Sequence, residues 1–267
     1  MVSADQIEDC QERGWIVVVP EHRLCPQVDI LQGPVSDCRD LLDWIYAGGL
    51  DEELASSGAT SPFKVDDKRV VTFGTSSGGT LALTLGFDVK RPVVAILDLY
   101  GATNFQDSFW TQSLTFMKPP ECSESFMSQV YEEKPVPIQG GLSLEGQTED
   151  GKPPPMGPRT AFTMTHIAKG TLLDVCYPSK DWKKIDACLN VAPEFPPTCI
   201  VHGLEDKMVP PFLSRTLCRR LEEEGVRSQF IDVPGEGHTF AGKMSKGSRT
   251  WDLQRKGFDF LESIIGR

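Results

Sequence analysis

A chain of 267 residues with 39% apolar and 24% charged residues fits one large domain with a sizeable core. A net charge of −11 argues weakly against nucleic acid and anionic membrane as partners, and it says nothing about fold. The opening stretch MVSADQIEDCQERG has no apolar leader segment, and the apolar run at 15–20 is far too short to span a bilayer.

Residues 4–13 have the pattern of a helix stopped by Gly14. The run at 15–20, WIVVVP, is short and rich in β-branched residues, which predicts a buried strand. Ser36 is expected to cap a helix whose apolar face is Cys38, Leu41, Leu42, Trp44 and Ile45, with Gly48 and Gly49 ending it. Strands are predicted at 69–73, 92–97, 198–202 and 229–233, with helices at 78–86, 211–224 and 247–265. Strands that alternate with helices imply parallel βαβ units, so the fold class is α/β with a mostly parallel, doubly wound sheet.

Residues 103–195 break this rhythm. The expected organisation is a core in two parts, 1–102 and 196–267, around an inserted lid at 103–195. The insertion contains a Pro/Gly-rich loop at 135–157 with the sequence GQTEDGKPPPMG. Its Phe109, Trp110, Leu114, Phe116, Met117, Phe126, Met127, Tyr131, Phe162 and Met164 either line a substrate pocket or form the small core of a subdomain. The insertion is expected over the C-terminal ends of the strands, where ligands of open α/β sheets bind. The eight cysteines are Cys10, Cys25, Cys38, Cys122, Cys176, Cys188, Cys199 and Cys218, and none forms a CxxC pair. They read as mostly free thiols in a reducing compartment, the cytoplasm. The alternative is one disulfide in the middle section, with Cys122, Cys176 and Cys188 as candidates.

Three short motifs carry chemistry. Gly74-Thr75-Ser76-Ser77-Gly78 lies between a predicted strand and a predicted helix, the context that a GxSxG nucleophile elbow requires. A serine on such a turn takes strained backbone angles, and the flanking glycines are expected to remove colliding Cβ atoms. The helix N-terminus favours the negative charge that develops on an acyl oxygen, with the backbone N–H of Ser77 as one donor. His202-Gly203-Leu204-Glu205-Asp206 follows a strand and offers a carboxylate to orient a histidine; Asp206 is favoured and Glu205 is the near alternative. Gly235-Glu236-Gly237-His238 places a histidine on a glycine-rich loop after the last strand. His22 and His166 have no comparable setting, and His202 is expected to pack or hydrogen-bond where its strand ends. The order Ser, Asp, His is that of the α/β-hydrolases.

With these motifs, and with Glu21-His-Arg-Leu-Cys-Pro26 standing where one branch has D-Y-R-L-A-P, the chain resembles α/β-hydrolases of the esterase/lipase branch related to hormone-sensitive lipase. Prolyl-oligopeptidase-like proteins are cousins. The resemblance covers about residues 1–102 and 196–267. It implies Ser76 as nucleophile, His238 as base and acid, and Asp206 as the residue that orients His238. It also implies cleavage of a carboxylic ester, with no metal or organic cofactor and with a small-molecule ester as partner. A peptidase or amidase of the same fold, a non-catalytic ligand-binding protein and a truncated product are the alternatives. One departure bears on them: the branch carries an HGG-type oxyanion loop upstream of the R-L-A-P turn, and this sequence has none. The first strands are therefore expected to be absent, with 15–20 and 69–73 either pairing directly or leaving a lane about one strand wide; direct pairing is the cheaper arrangement, because an empty lane leaves buried N–H and C=O groups without partners.

Overall fold

In the computed structural model, residues 3–58, 64–139, 156–242 and 244–266 are described. Helices α1 (Ala4–Glu12), α2 (Ser36–Tyr46) and α3 (Gly49–Ser56) precede strand β1 (Thr72–Thr75), α4 (Ser77–Thr84) and β2 (Ile96–Leu99). Helices α5 (Glu124–Met127), α6 (Pro158–Lys169) and α7 (Leu172–Cys176) come next, and β3 (Thr198–Gly203), α8 (Pro211–Glu223), β4 (Ser228–Val233) and α9 (Arg249–Ile265) close the chain. The strands form one parallel sheet in the order β1-β2-β3-β4.

The sheet is covered on both faces, as the continuous apolar runs require. Successive side chains of a strand point to opposite faces. Leu97, Leu99, Cys199, Val201, Ile231 and Val233 pack with Phe258 and Leu261 of α9 in one core. Ile96 and Ile200 pack on the other face with Ala82 and Leu83 of α4 and Leu217 and Leu221 of α8. This is the α/β, doubly wound arrangement expected from the alternation of elements.

The chain divides into two compact units. One comprises Met1–Pro20, Cys38–Asn104 and Asp186–Arg267 and holds the sheet; the other comprises Glu21–Asp37 and Phe105–Ile185 and is helical. Most of the predicted Pro/Gly-rich loop, 140–155, lies outside the described residues. Among the described residues no helix is long and apolar enough to cross a membrane.

Several expectations need correction. Residues 15–20 form no strand and join no sheet. Trp15 and Val17 pack on the core, whereas Ile16, Val18 and Val19 are 45%, 39% and 51% exposed. The alternation is that of a half-buried strand, so composition alone misread it as fully buried. It does not pair with β1, whose ladder runs to β2. The strands predicted at 69–73 and 92–97 begin too early, because β1 starts at Thr72 and β2 at Ile96. Ser36 continues a helix rather than capping one, since a π-helical turn, Leu31–Val35, runs straight into it.

The centre of the sheet contains a buried acid. Asp98, on β2, is fully buried; its Oδ1 accepts from the Gly101 N–H at 2.8 Å, and its Oδ2 has no partner. Burial raises the carboxyl from 3.8 to about 6, against the opposing effects of His202 and the Gly101 hydrogen bond. The folded protein therefore holds this proton up to about pH 6, while the unfolded chain releases it near 3.8. The stability tied to Asp98 is full below pH 4, falls as pH rises through 6, and is reduced by about 3 kcal/mol above that. Asp98→Asn should escape this loss. Denaturant midpoints measured at pH 4.5 and 7.5 should show the variant gaining on the wild type as pH rises, and a constant difference would exclude the neutral carboxyl.

Candidate active site

All C-terminal strand ends of a parallel sheet lie along one edge. Ser76 follows β1, Asp206 lies in the turn after β3, and His238 lies in the loop after β4. All three belong to the sheet-bearing unit.

Ser76 occupies the turn between β1 and α4 with φ 50° and ψ −122°. A non-glycine residue there stores about 1–3 kcal/mol of strain. The position is over-determined: the Ser76 N–H donates to Leu99 O at 2.9 Å, and its own carbonyl accepts from the Thr80 N–H at 3.2 Å. A Cβ on Gly74 would stand 2.2 Å from the Gly78 carbonyl oxygen, so this glycine is required for the close turn. Gly78 is not required in the same way, since nothing lies within 4 Å of where its Cβ would be. The second crowded position is Gly79, whose Cβ would lie 2.2 Å from Asp98 Oδ1. The Ser77 N–H is in the first turn of α4, where helical N–H groups lack partners within the helix.

Asp206 and His238 are brought together by an approach of two loops. A Cβ on Gly203 would lie 2.4 Å from the Glu236 carbonyl oxygen and 2.7 Å from that of Gly237. The Leu204 N–H donates to Val233 O at 3.1 Å, and the Glu205 N–H donates to Glu236 O at 2.9 Å. Glu205 itself is exposed, whereas Asp206 is buried.

The Asp206 carboxylate is fully engaged. Oδ1 accepts from the Met208 and Val209 N–H groups, each at 2.9 Å. Oδ2 lies 2.6 Å from His238 Nδ1 and 3.2 Å from His202 Nε2. Burial raises its pKa, but hydrogen bonds from His202 and His238 and the backbone more than reverse this and hold it below the ordinary carboxylate value. An ionised Asp206 accepts only, so His238 Nδ1 carries the proton. His238 Nε2 is then an acceptor, and Ser76 Oγ stands 2.9 Å from it. The imidazole is also held by the edge of Tyr100, with ring centroids 5.1 Å apart.

His202 was expected only to pack or hydrogen-bond at its strand end, and its contact with Asp206 was missed. It is fully buried, and its Nε2 also lies 2.8 Å from Val209 O, an acceptor only, so Nε2 carries the hydrogen. Nδ1 then accepts from Ser214 Oγ at 3.0 Å. Its spacing of four residues from Asp206 across the strand end was the available signal. The other histidines stand apart: His22 Nδ1 is 3.1 Å from Arg23 O, and His166 Nδ1 is 2.8 Å from Thr171 Oγ1. No group of three or more His, Cys, Asp or Glu side chains suited to a metal occurs among the described residues.

Comparison with known proteins agrees with this architecture. Residues 7–136 match the alpha/beta hydrolase fold family, and residues 162–267 match the prolyl oligopeptidase family. The chain is 26% identical, over 93% of its length, to the non-reducing polyketide synthase Preu6 of Preussia isomera. It is 38% identical, over 97% of its length, to the non-reducing polyketide synthase ausA of Aspergillus calidoustus. It spans only 12% of the length of each. Among solved structures, a Staphylococcus aureus subsp. aureus Mu50 protein of unknown function superposes with a TM-score of 0.68 at 19% identity, covering 99% of this chain and 83% of the other. Esterase 2 of Thermogutta terrifontis, phosphonylated by sarin, superposes with a TM-score of 0.52 at 16% identity, covering 90% of this chain and 68% of the other. The chain belongs to the α/β-hydrolase superfamily.

Proposed function

We propose that the chain is a serine acyl hydrolase that cleaves a carboxylic ester through an acyl-enzyme. The observation that carries this reading is the unbroken line from Ser76 Oγ through the His238 ring to Asp206 Oδ2, with contacts of 2.9 and 2.6 Å. Ser76 Oγ attacks the substrate carbonyl while His238 Nε2 takes its proton. Negative charge gathers on the carbonyl oxygen, toward which the Ser77 N–H and the α4 N-terminus are directed. His238 then returns the proton to the departing alcohol, and the acyl group stays on Ser76. Water, deprotonated by His238, releases the acid and restores the serine. Asp206 keeps the proton on Nδ1 and stabilises the imidazolium.

A second reading is favoured by the match of nearly the whole chain to segments of non-reducing polyketide synthases. On this reading the acyl group arrives as a thioester, and the leaving group is a thiol. The same three side chains perform the same steps. Parallel assays separate the two: one acyl group is presented as its p-nitrophenyl ester and as its N-acetylcysteamine thioester. A kcat/KM that favours the thioester, after allowance for their intrinsic hydrolysis rates, selects the second reading.

Ser76→Ala should lower turnover of p-nitrophenyl acetate by about 10⁴-fold or more and abolish labelling by a fluorophosphonate, with an unchanged circular dichroism spectrum. Labelling that survives in the variant would remove Ser76 from the mechanism. Asp206→Asn should cost about 10⁴-fold in kcat, because the amide can present an N–H to Nδ1 and favour the wrong imidazole tautomer. A loss of less than tenfold would mean that His238 is oriented by something else.

A further inference from the structure

The carboxylate that orients His238 has a second imidazole on the same oxygen. His202 stands near the end of β3, four residues before Asp206, and both side chains are fully buried. Its ring is held by three polar partners. The Ser214 hydroxyl of α8 donates to Nδ1 at 3.0 Å, and the Nε2–H is shared between Val209 O at 2.8 Å and Asp206 Oδ2 at 3.2 Å. Phe230 of β4 lies parallel to the ring, with centroids 6.5 Å apart. The Met208 and Val209 N–H groups both go to Asp206 Oδ1. They fix that oxygen, but the direction of Oδ2 is left to its own donors, which are His238 and His202. Burial works against the charge on Asp206, and the hydrogen bond from His202 leads the interactions that outweigh it.

We propose that His202 is a positioning residue for acyl transfer: its Nε2–H holds Asp206 Oδ2 against His238 Nδ1, so that His238 keeps Nε2 free to take the proton of Ser76. This rests on the acyl-transfer reading above. His202 acts through Asp206 and not on the substrate. Acyl transfer needs Asp206 twice. At rest the carboxylate keeps the proton on Nδ1, and once His238 has taken the serine proton it stabilises the imidazolium. With His238 as the sole donor to Oδ2, carboxylate and imidazole can turn together, and the other tautomer becomes accessible. His202 removes that freedom, because its own ring is tied to α8 through Ser214 and to the turn after β3 through Val209. The constraint passes from the sheet and the helix to the carboxylate. A packing role asks only for bulk at position 202, whereas a positioning role asks for a hydrogen at the place of Nε2. Side-chain length separates the two. Glutamine carries its amide nitrogen to about the place of Nε2, and asparagine ends near Nδ1, short of Asp206.

His202→Asn and His202→Gln should be compared with the wild type in the full chain on p-nitrophenyl acetate, with sites counted by fluorophosphonate titration. His202→Asn should lower kcat by about 10- to 100-fold with KM within about twofold, and His202→Gln should restore kcat to within about threefold of the wild type. NMR of protein labelled with 15N-histidine gives a second readout. Wild-type His238 should be wholly the Nδ1–H tautomer and His202 the Nε2–H tautomer. His202→Gln should keep His238 in that state, and His202→Asn should mix its two tautomers. Equal losses of kcat in both variants would overturn the proposal, since they report packing alone. So would wild-type kcat in His202→Asn, or a His238 that stays wholly Nδ1–H there. If His202→Asn does not fold, His202→Met takes its place, with similar bulk and no donor. A wild-type spectrum with the hydrogen on His202 Nδ1 would also overturn the proposal, whatever the variants do. The spectra need no substrate, so they stand apart from the acyl-transfer reading, which falls if Ser76→Ala keeps its turnover.

Discussion

The arrangement of the candidate site depends on one close approach, that of the Gly203 backbone to the carbonyls of Glu236 and Gly237. Any side chain at Gly203 would push the end of β3 away from the loop after β4. The Leu204 and Glu205 N–H groups would lose their acceptors in that loop, and Asp206 would withdraw from His238. The hydrogen bond of 2.6 Å between them fixes the imidazole tautomer, which in turn decides whether Ser76 faces an acceptor. A contact between main-chain atoms is thus what gives three side chains their chemical meaning. Two loops of very different composition are thus joined by backbone hydrogen bonds, as adjacent strands are.

Much of this was legible in the sequence, for physical reasons. The strand-to-helix context of Gly74 to Gly78 fixes where a strained serine stands, and the glycines around His238 mark a loop that approaches other backbone. Because strands in a parallel sheet end on one edge, three motifs that each follow a strand had to meet there. What was hidden is equally instructive. His202 looks like an ordinary core residue, and its contact with Asp206 depends on how tightly the turn at 203–206 folds. Gly78 and Gly79 cannot be ranked from a motif, because the crowding at Gly79 comes from Asp98 on another strand. The run at 15–20 was misjudged because β-branched content reports that a segment is extended, not that it has neighbours.

The helical unit illustrates a further limit. Its two segments, Glu21–Asp37 and Phe105–Ile185, are distant in sequence, so their partnership leaves no periodic trace. Arg159 shows how they join: one guanidinium gathers Cys25, Gln27 and Glu133 from both segments. A planar group with five donors suits that task better than an ammonium would. The cysteines read from sequence as mostly free thiols, with a middle-section disulfide among Cys122, Cys176 and Cys188 as the alternative, and all eight are unbridged in the structure.

The outer side of β1 has a consequence for how the chain behaves in company. Thr72 and Ser76 direct their N–H groups toward the β2 side, so Phe73 and Thr75 present theirs the other way, along a margin where the sheet ends. Ile16, Val18 and Val19 add an apolar stretch open to water. Among the described residues no strand lies beyond this margin, and an open edge beside exposed β-branched side chains is a template for intermolecular pairing. Charged edge residues, which natural sheets use as a guard, are missing from TFGT and from IVVV. The net charge of −11 supplies a repulsion between copies that works against such pairing, and raising the ionic strength screens it.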